Sequence, residues 1–159
     1  MISLAPMTRE LFHKLNRGFQ FDPALFTDME LYERCKARPY DAEQTNRRFD
    51  DRMSRPNTLT LAIMRGGSVI GEAVLKRIDL ESRRCEIGIH LMNDSVKGLG
   101  FGTEALKLAV RHAFDALGME KVLADCIVKN TRSRHVLEKL GFRFLGEEDG
   151  FYKFELDKS

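Results

Sequence analysis

Between residues 97 and 103 the chain reads Lys97-Gly98-Leu99-Gly100-Phe101-Gly102-Thr103, with alternate glycines directly ahead of an amphipathic stretch. Glycine has no Cβ, so successive backbone N–H groups there can turn inward and approach an anion closely. The first turn of a following helix adds unpaired N–H groups and a partial positive charge. Lys97 brings a formal charge and Thr103 a hydroxyl. This spacing suits a phosphate or pyrophosphate; the plainer alternative is a strand-to-helix turn. Two common phosphate loops are excluded by context. No G-x-x-x-x-G-K-[ST] string occurs. A dinucleotide fold needs G-x-G-x-x-G in an early βαβ unit, whereas here G-x-G-x-G falls late in the chain.

The loop needs a strand before it and a helix after it. Over residues 84–92, Ile87, Ile89 and Leu91 alternate with Glu86, Gly88 and His90, the pattern of a half-buried strand. Residues 103–117 carry a core stripe of Leu106, Val110, Phe114 and Leu117, and Gly118 stops that helix. Residues 122–128 are almost continuously apolar, as a central strand requires. Asn130 or Thr131 opens a short helix ending at Leu140, with Gly141 just past its end, and residues 142–146 and 151–156 form a hairpin turned at Asp149-Gly150. Upstream, residues 58–65 and 68–78 are joined by Gly66-Gly67, a strong hairpin signal, and residues 79–83 turn the chain again. The first third reads as helical. Thr8 caps a helix to Arg17, Pro23 opens one through Lys36, and Asp41 caps a largely exposed one over 42–53, stopped near Pro56. This order predicts an α/β domain around a mixed sheet.

At 159 residues, 43% hydrophobic and 31% charged, the chain fits one domain over 1–159 with no linker. A net charge of +2, from 26 basic and 24 acidic residues, gives no reason to expect nucleic-acid binding. Cys35, Cys85 and Cys126 are odd in number and widely spaced, without a CxxC or a neighbouring His pair. Neither a disulfide framework nor a metal site is expected, and a reducing compartment fits best. No apolar run approaches about 18 residues and no leader pattern is present, so a cytoplasmic protein off the membrane is expected.

Lys97-Gly98-Leu99-Gly100-Phe101-Gly102 resembles the [Q/R]-x-x-G-x-[G/A] acetyl-CoA loop of the GNAT acetyltransferases. Asn130-x-x-Ser133 followed by Glu138-Lys139-Leu140-Gly141-Phe142 resembles the closing motif of the same superfamily, nearest to its RimJ/RimL-like branch. The likeness spans roughly residues 63–154. The helical first third matches in layout only. Lys97 stands where Gln or Arg is usual, keeping the charge without Arg's bidentate fork. Leu137 stands where many relatives carry a tyrosine general acid.

The resemblance implies a GNAT-like fold: a central, twisted, mostly antiparallel sheet of six to seven strands with helices on both faces. Residues 1–57 would form the acceptor rim and 58–159 the acetyl-CoA core. It also implies acetyl transfer from acetyl-CoA, the cosubstrate, directly to a primary amine without a metal, in an enzyme that is often a homodimer. Lys97, Gly98, Leu99, Gly100, Phe101, Gly102 and Thr103 would hold the pyrophosphate, and the end of the strand, with Leu91 and Met92, the pantetheine arm. Asn130 would donate to pantetheine or simply cap its helix. Lys129, Arg132 and Arg134 would meet the 3′-phosphate or form a solvated turn. Glu86 is the first candidate base, with a solvent-facing pair to Arg84 as its alternative; His90 and then Glu72 follow. Ser133 would be the donor to the leaving thiolate or serve as a first-turn hydroxyl. Cys126 is rejected as an acyl carrier, lacking a His partner. Asp28, Glu30 and Glu33 are followed by Arg34, Lys36 and Arg38, a solvated mixed-charge pattern rather than a polyamine trap. A non-catalytic CoA-binding module and a nucleotide-binding protein are the competing readings.

Overall fold

The computed structural model describes residues 1–18, 29, 33, 39–92 and 99–159. Lys97 and Gly98 lie outside the described residues. So does the expected helix over 23–36, apart from Met29 and Glu33, which are both helical.

The chain begins with a strand, β1 (Ile2–Pro6), which corrects the expectation of a helical start. β1 pairs antiparallel with β2 (Leu59–Arg65) and buries Ile2 in the core. The alternation of a single short segment is a weak signal, and Pro6 is tolerated because β1 lies at the sheet edge. α1 (Arg9–Gly18) follows, with Thr8 Oγ1 accepting from the Leu11 N–H at 3.2 Å. α2 (Ala42–Ser54) is capped by Asp41, whose carboxylate accepts from the Gln44 N–H at 2.9 Å. Although mostly polar, α2 buries Thr45 and Phe49, and the Phe49 ring meets Phe12 of α1 at 5.6 Å. One well-placed aromatic therefore seats a helix whose composition reads as exposed.

β2, β3 (Ser68–Asp79) and β4 (Arg84–Leu91) form the antiparallel meander. α3 (Phe101–Arg111) starts two residues earlier than expected and runs on into a π-helical turn, His112–Ala116. β5 (Lys121–Ile127), α4 (Thr131–Lys139), β6 (Arg143–Glu148) and β7 (Phe151–Asp157) complete the fold. The seven strands lie in the order β1-β2-β3-β4-β5-β7-β6, and β4–β5 is the parallel pair. A mostly antiparallel seven-stranded sheet with helices on both faces is thus observed.

Each face has its own core. Ile63, Leu75, Ile87, Val122 and Phe154 point to the side covered by Ala105, Leu106 and Ala109 of α3, where α4 adds Leu137. On the other side, Ala62 and Val69 pack with Met7, Phe12, Leu15 and Phe49 beneath α1 and α2. Leu137 is 4% exposed and belongs to the apolar core, as its side-chain type dictates.

Candidate active site

β4 and β5 pair only through Arg84, Cys85 and Glu86 against Lys121, Val122 and Leu123. Both strands continue beyond this contact, to Leu91 and Ile127, but no longer with each other. A parallel pair that separates toward its C-terminal end leaves a gap with backbone groups on either wall, and ligands of open α/β sheets bind outside those strand ends. The Met92 N–H donates to Ile70 O at 2.7 Å, so residue 92 presents its N–H to β3. Backbone polar groups alternate along a strand, which turns those of Leu91 and Ile89 toward the gap. The Met92 side chain serves packing instead, sitting against Gly18 at the end of α1.

The helix that follows opens toward the same end. Gly100 is the N-cap of α3 at φ 82°, ψ 0°, and no side chain caps it. Its carbonyl accepts from Glu104, which leaves the N–H groups of Phe101, Gly102 and Thr103 without an intrahelical partner. Among the described residues, an added Cβ on Gly100 would meet no atom within 4 Å, so on that side the cradle is bordered by backbone donors. Gly102 faces the β4 wall, where its Cβ would lie 3.7 Å from Leu91 Cδ1. Leu99 is exposed, and Phe101 is held under the Arg65 guanidinium, 4.8 Å from the ring centre. Backbone donors at a helix start suit an anionic group, and free strand walls suit a ligand that carries amides.

Across the gap, α4 begins at Asn130, whose Oδ1 accepts from the Ser133 N–H at 2.9 Å. The cap occupies the oxygen of Asn130 and leaves its amide nitrogen to donate elsewhere. Ser133 therefore sits in the first turn of α4, just past the end of β5. Arg134 pairs with Glu138 at 2.7 Å and lies over Tyr152 at 4.7 Å. Lys129 and Arg132 remain exposed.

The sheet face opposite α3 carries the ionisable groups. Glu86 is paired with Arg77 at 2.9 Å and Lys76 at 3.9 Å rather than with Arg84. Glu72, 8% exposed, pairs with Arg52 of α2 at 2.9 Å. Asp125 on β5 pairs with Lys153 at 3.1 Å. His90 is the register partner of Glu72. Desolvation lowers its pKa, with Arg52 and Lys76 acting in the same direction and Glu72 and Asp125 against it. Cys126 is buried, and its pKa is pushed up by desolvation, so the thiol form dominates at neutral pH. Sequence reasoning missed Arg52, a polar residue on an apparently solvated helix. It also missed Arg65, since its contact with Phe101 joins distant parts of the chain. A lone acid inside the apolar run 69–75 was the available signal for a buried ion pair at Glu72.

Among the described residues, no group of three or more His, Cys, Asp or Glu side chains is placed to hold a metal ion. No helix of the described residues is long and apolar enough to cross a membrane. Among solved structures, a dodecameric spermidine N-acetyltransferase from Vibrio cholerae superposes with a TM-score of 0.73 at 17% identity, over 98% of this chain and 93% of that one. The Campylobacter jejuni N-acetyltransferase PseH gives 0.69 at 17% identity, over 99% of both chains. At these identities the likeness is one of fold. In sequence, the chain is 31% identical over 97 residues to YdaF of Bacillus subtilis, whose name assigns it to the ribosomal N-acetyltransferases. It is 30% identical over 87 residues to the N-acetyltransferase p20 of Bacillus licheniformis. These matches cover 60% and 55% of this chain and about half of each relative, 52% and 48%. Residues 6–143 match the Acetyltransferase (GNAT) domain. With that match covering most of the sequence, on a sheet that parts between β4 and β5 beside a glycine-started helix, the chain belongs to the GNAT acetyltransferase family.

Proposed function

We propose that this protein transfers the acetyl group of acetyl-CoA directly to a primary amine, as a RimJ/RimL-like member of its family. One observation carries the proposal. The unpaired walls of β4 and β5, the Gly100 start of α3 and the Asn130–Ser133 start of α4 meet at one end of the parallel pair. Backbone donors of residues 101–103, helped by Lys97 and Gly98, would hold the pyrophosphate. Leu91 and Asn130 would align the pantetheine arm, and the Ser133 hydroxyl would donate a hydrogen bond to the departing thiolate, which takes its proton from solvent. The amine would approach from the opposite face, where its proton leaves through the polar row of β4 that Glu86 heads.

Acceptor chemistry follows from charge. Each carboxylate on that face, Glu72, Glu86 and Asp125, already has a cationic partner. The described residues therefore offer no uncompensated negative well for a polycation, and a single amine is the better guest. An α-amine of pKa about 8 is roughly a tenth neutral at pH 7, whereas a lysine-like amine of pKa about 10.4 is almost wholly charged. We assign an α-amine on a peptide or small molecule as the acceptor. The chain would act as one unit in the cytoplasm, where thiols such as Cys85 and Cys126 stay reduced, with 1–57 as rim and 58–159 as core. A homodimer is the proposed assembly, checked by light scattering.

The deciding experiment measures thiol release from acetyl-CoA across a panel of α-amines, lysine-like amines and polyamines. Acetylation of α-amines is expected to dominate. CoA binding without thiol release from any amine would identify a non-catalytic CoA-binding module. Tighter binding of ATP or NAD than of CoA would overturn the loop assignment itself.

A further inference from the structure

The polar row of β4 consists of Glu86, Gly88 and His90, and these positions sit differently around the gap. Glu86 lies at the closed end, opposite Leu123, within the last β4–β5 pair, and both its oxygens are engaged by cations. Gly88 is the first position of the row beyond that pair. It bares the backbone, and an added Cβ there would lie 3.4 Å from His90 Nε2. The imidazole therefore leans back over the uncovered strand at the point where the walls part, and the residue is exposed.

Among the described residues, charged groups of three elements act on His90. Glu72 and Lys76 come from β3, Arg52 from α2 and Asp125 from β5. Glu72 stands directly across in register and is anchored by Arg52 at 2.9 Å. With its pKa lowered, the ring stays neutral near pH 7, the state a proton acceptor needs.

Resting on the acetyl-transfer reading above, we infer that His90 Nε2 accepts the proton of the attacking amine and that Glu72, held by Arg52, positions the imidazole. The amine lone pair forms the N–C bond to the thioester carbonyl carbon, and the C–S bond breaks with its electron pair kept by sulfur. The surplus proton on nitrogen passes to Nε2 and then to solvent; the thiolate accepts a hydrogen bond from the Ser133 hydroxyl and takes its proton from solvent. Glu86, tied to Arg77 and Lys76, shapes the local field without receiving the proton.

The test uses the full chain, acetyl-CoA and the best amine of the panel. In wild type, kcat/KM should fall with a slope of about two at low pH, one proton from the amine and one from the imidazole. His90→Gln should lower kcat/KM at pH 7 about 100-fold and reduce the slope to about one, while calorimetric affinity for acetyl-CoA barely changes. Glu86→Gln should keep the steeper slope. Glu72→Gln removes the opposing negative charge and should move the break to lower pH, whereas Arg52→Gln should move it to higher pH. Loss of packing alone would not shift the break in opposite directions. In the protein without ligand, the imidazole NMR signal lost in His90→Gln should titrate below pH 6.5. An unaltered slope in His90→Gln, or a slope lost in Glu86→Gln, overturns the assignment of the base. Shifts of one sign in Glu72→Gln and Arg52→Gln overturn the positioning role. If wild type releases no thiol with any amine, the acetyl-transfer reading fails and the role of His90 fails with it. Turnover with an intact steep slope in the His90 variant removes His90 alone.

Discussion

On one side of the β4–β5 gap, α3 meets the sheet through Ala105, Leu106 and Ala109, and at its Gly100 start it offers a ligand backbone N–H groups. On the other side, Arg52, Glu72, Lys76, Glu86, Asp125 and Lys153 meet as ion pairs contributed by helix and strands. The first site is local: a few consecutive residues make it, and its recognition depends on the absence of side chains. The second is assembled across the chain from side chains that compensate one another. An invariant chemical group such as pyrophosphate suits the first construction, while a variable acceptor suits the second, where single substitutions can retune charge.

Breaking the local side should have the largest effect. Gly100→Val places a β-branched residue at φ 82° and fills the open cradle, so acetyl-CoA affinity by calorimetry should fall at least about 100-fold. The αL strain should cost about 1–3 kcal/mol, measured by denaturant unfolding. Unchanged affinity would mean that the anion is held elsewhere.

At the junction of the two sides, Ser133→Ala removes a hydroxyl while its N–H still bonds Asn130. A drop in kcat of about 10–100-fold with unchanged KM for acetyl-CoA is expected, the signature of a contact made in the transition state. Equal losses in kcat and acetyl-CoA affinity would make it a binding residue.

The smallest effect belongs to the assembled side's support. Asp41→Ala removes the α2 cap and should cost about 1 kcal/mol of stability. Because α2 carries Arg52, the KM for the amine should rise slightly while acetyl-CoA affinity stays constant. A change in acetyl-CoA affinity would show that the two sides are not separable.

Much of the architecture was legible because its signals are short-range. Gly66-Gly67, the alternation of Ile87, Ile89 and Leu91, and the caps at Thr8, Asp41 and Asn130 each involve neighbours in sequence, and all reappear. β1 escaped because one short alternating segment carries little information until β2 is there to pair with it. The partners of Glu86 escaped for a related reason. The register of β3 against β4 brings Lys76 across from it, and the bulge between Lys76 and Asp79 lets Arg77 reach it; no spacing along one strand encodes that.

Residue types and local spacing thus determined by themselves that a glycine-bearing loop joins a half-buried strand to an amphipathic helix, and that a capped helix with Ser133 follows the next strand. Tertiary structure alone decided that β4 and β5 part after Glu86 and Leu123, that His90 overhangs Gly88 at that point, and that α2 delivers Arg52 to Glu72. Conformational preferences act between near neighbours in the chain. Electrostatic and packing energies depend on distance in space, which is set only when the strands take their register.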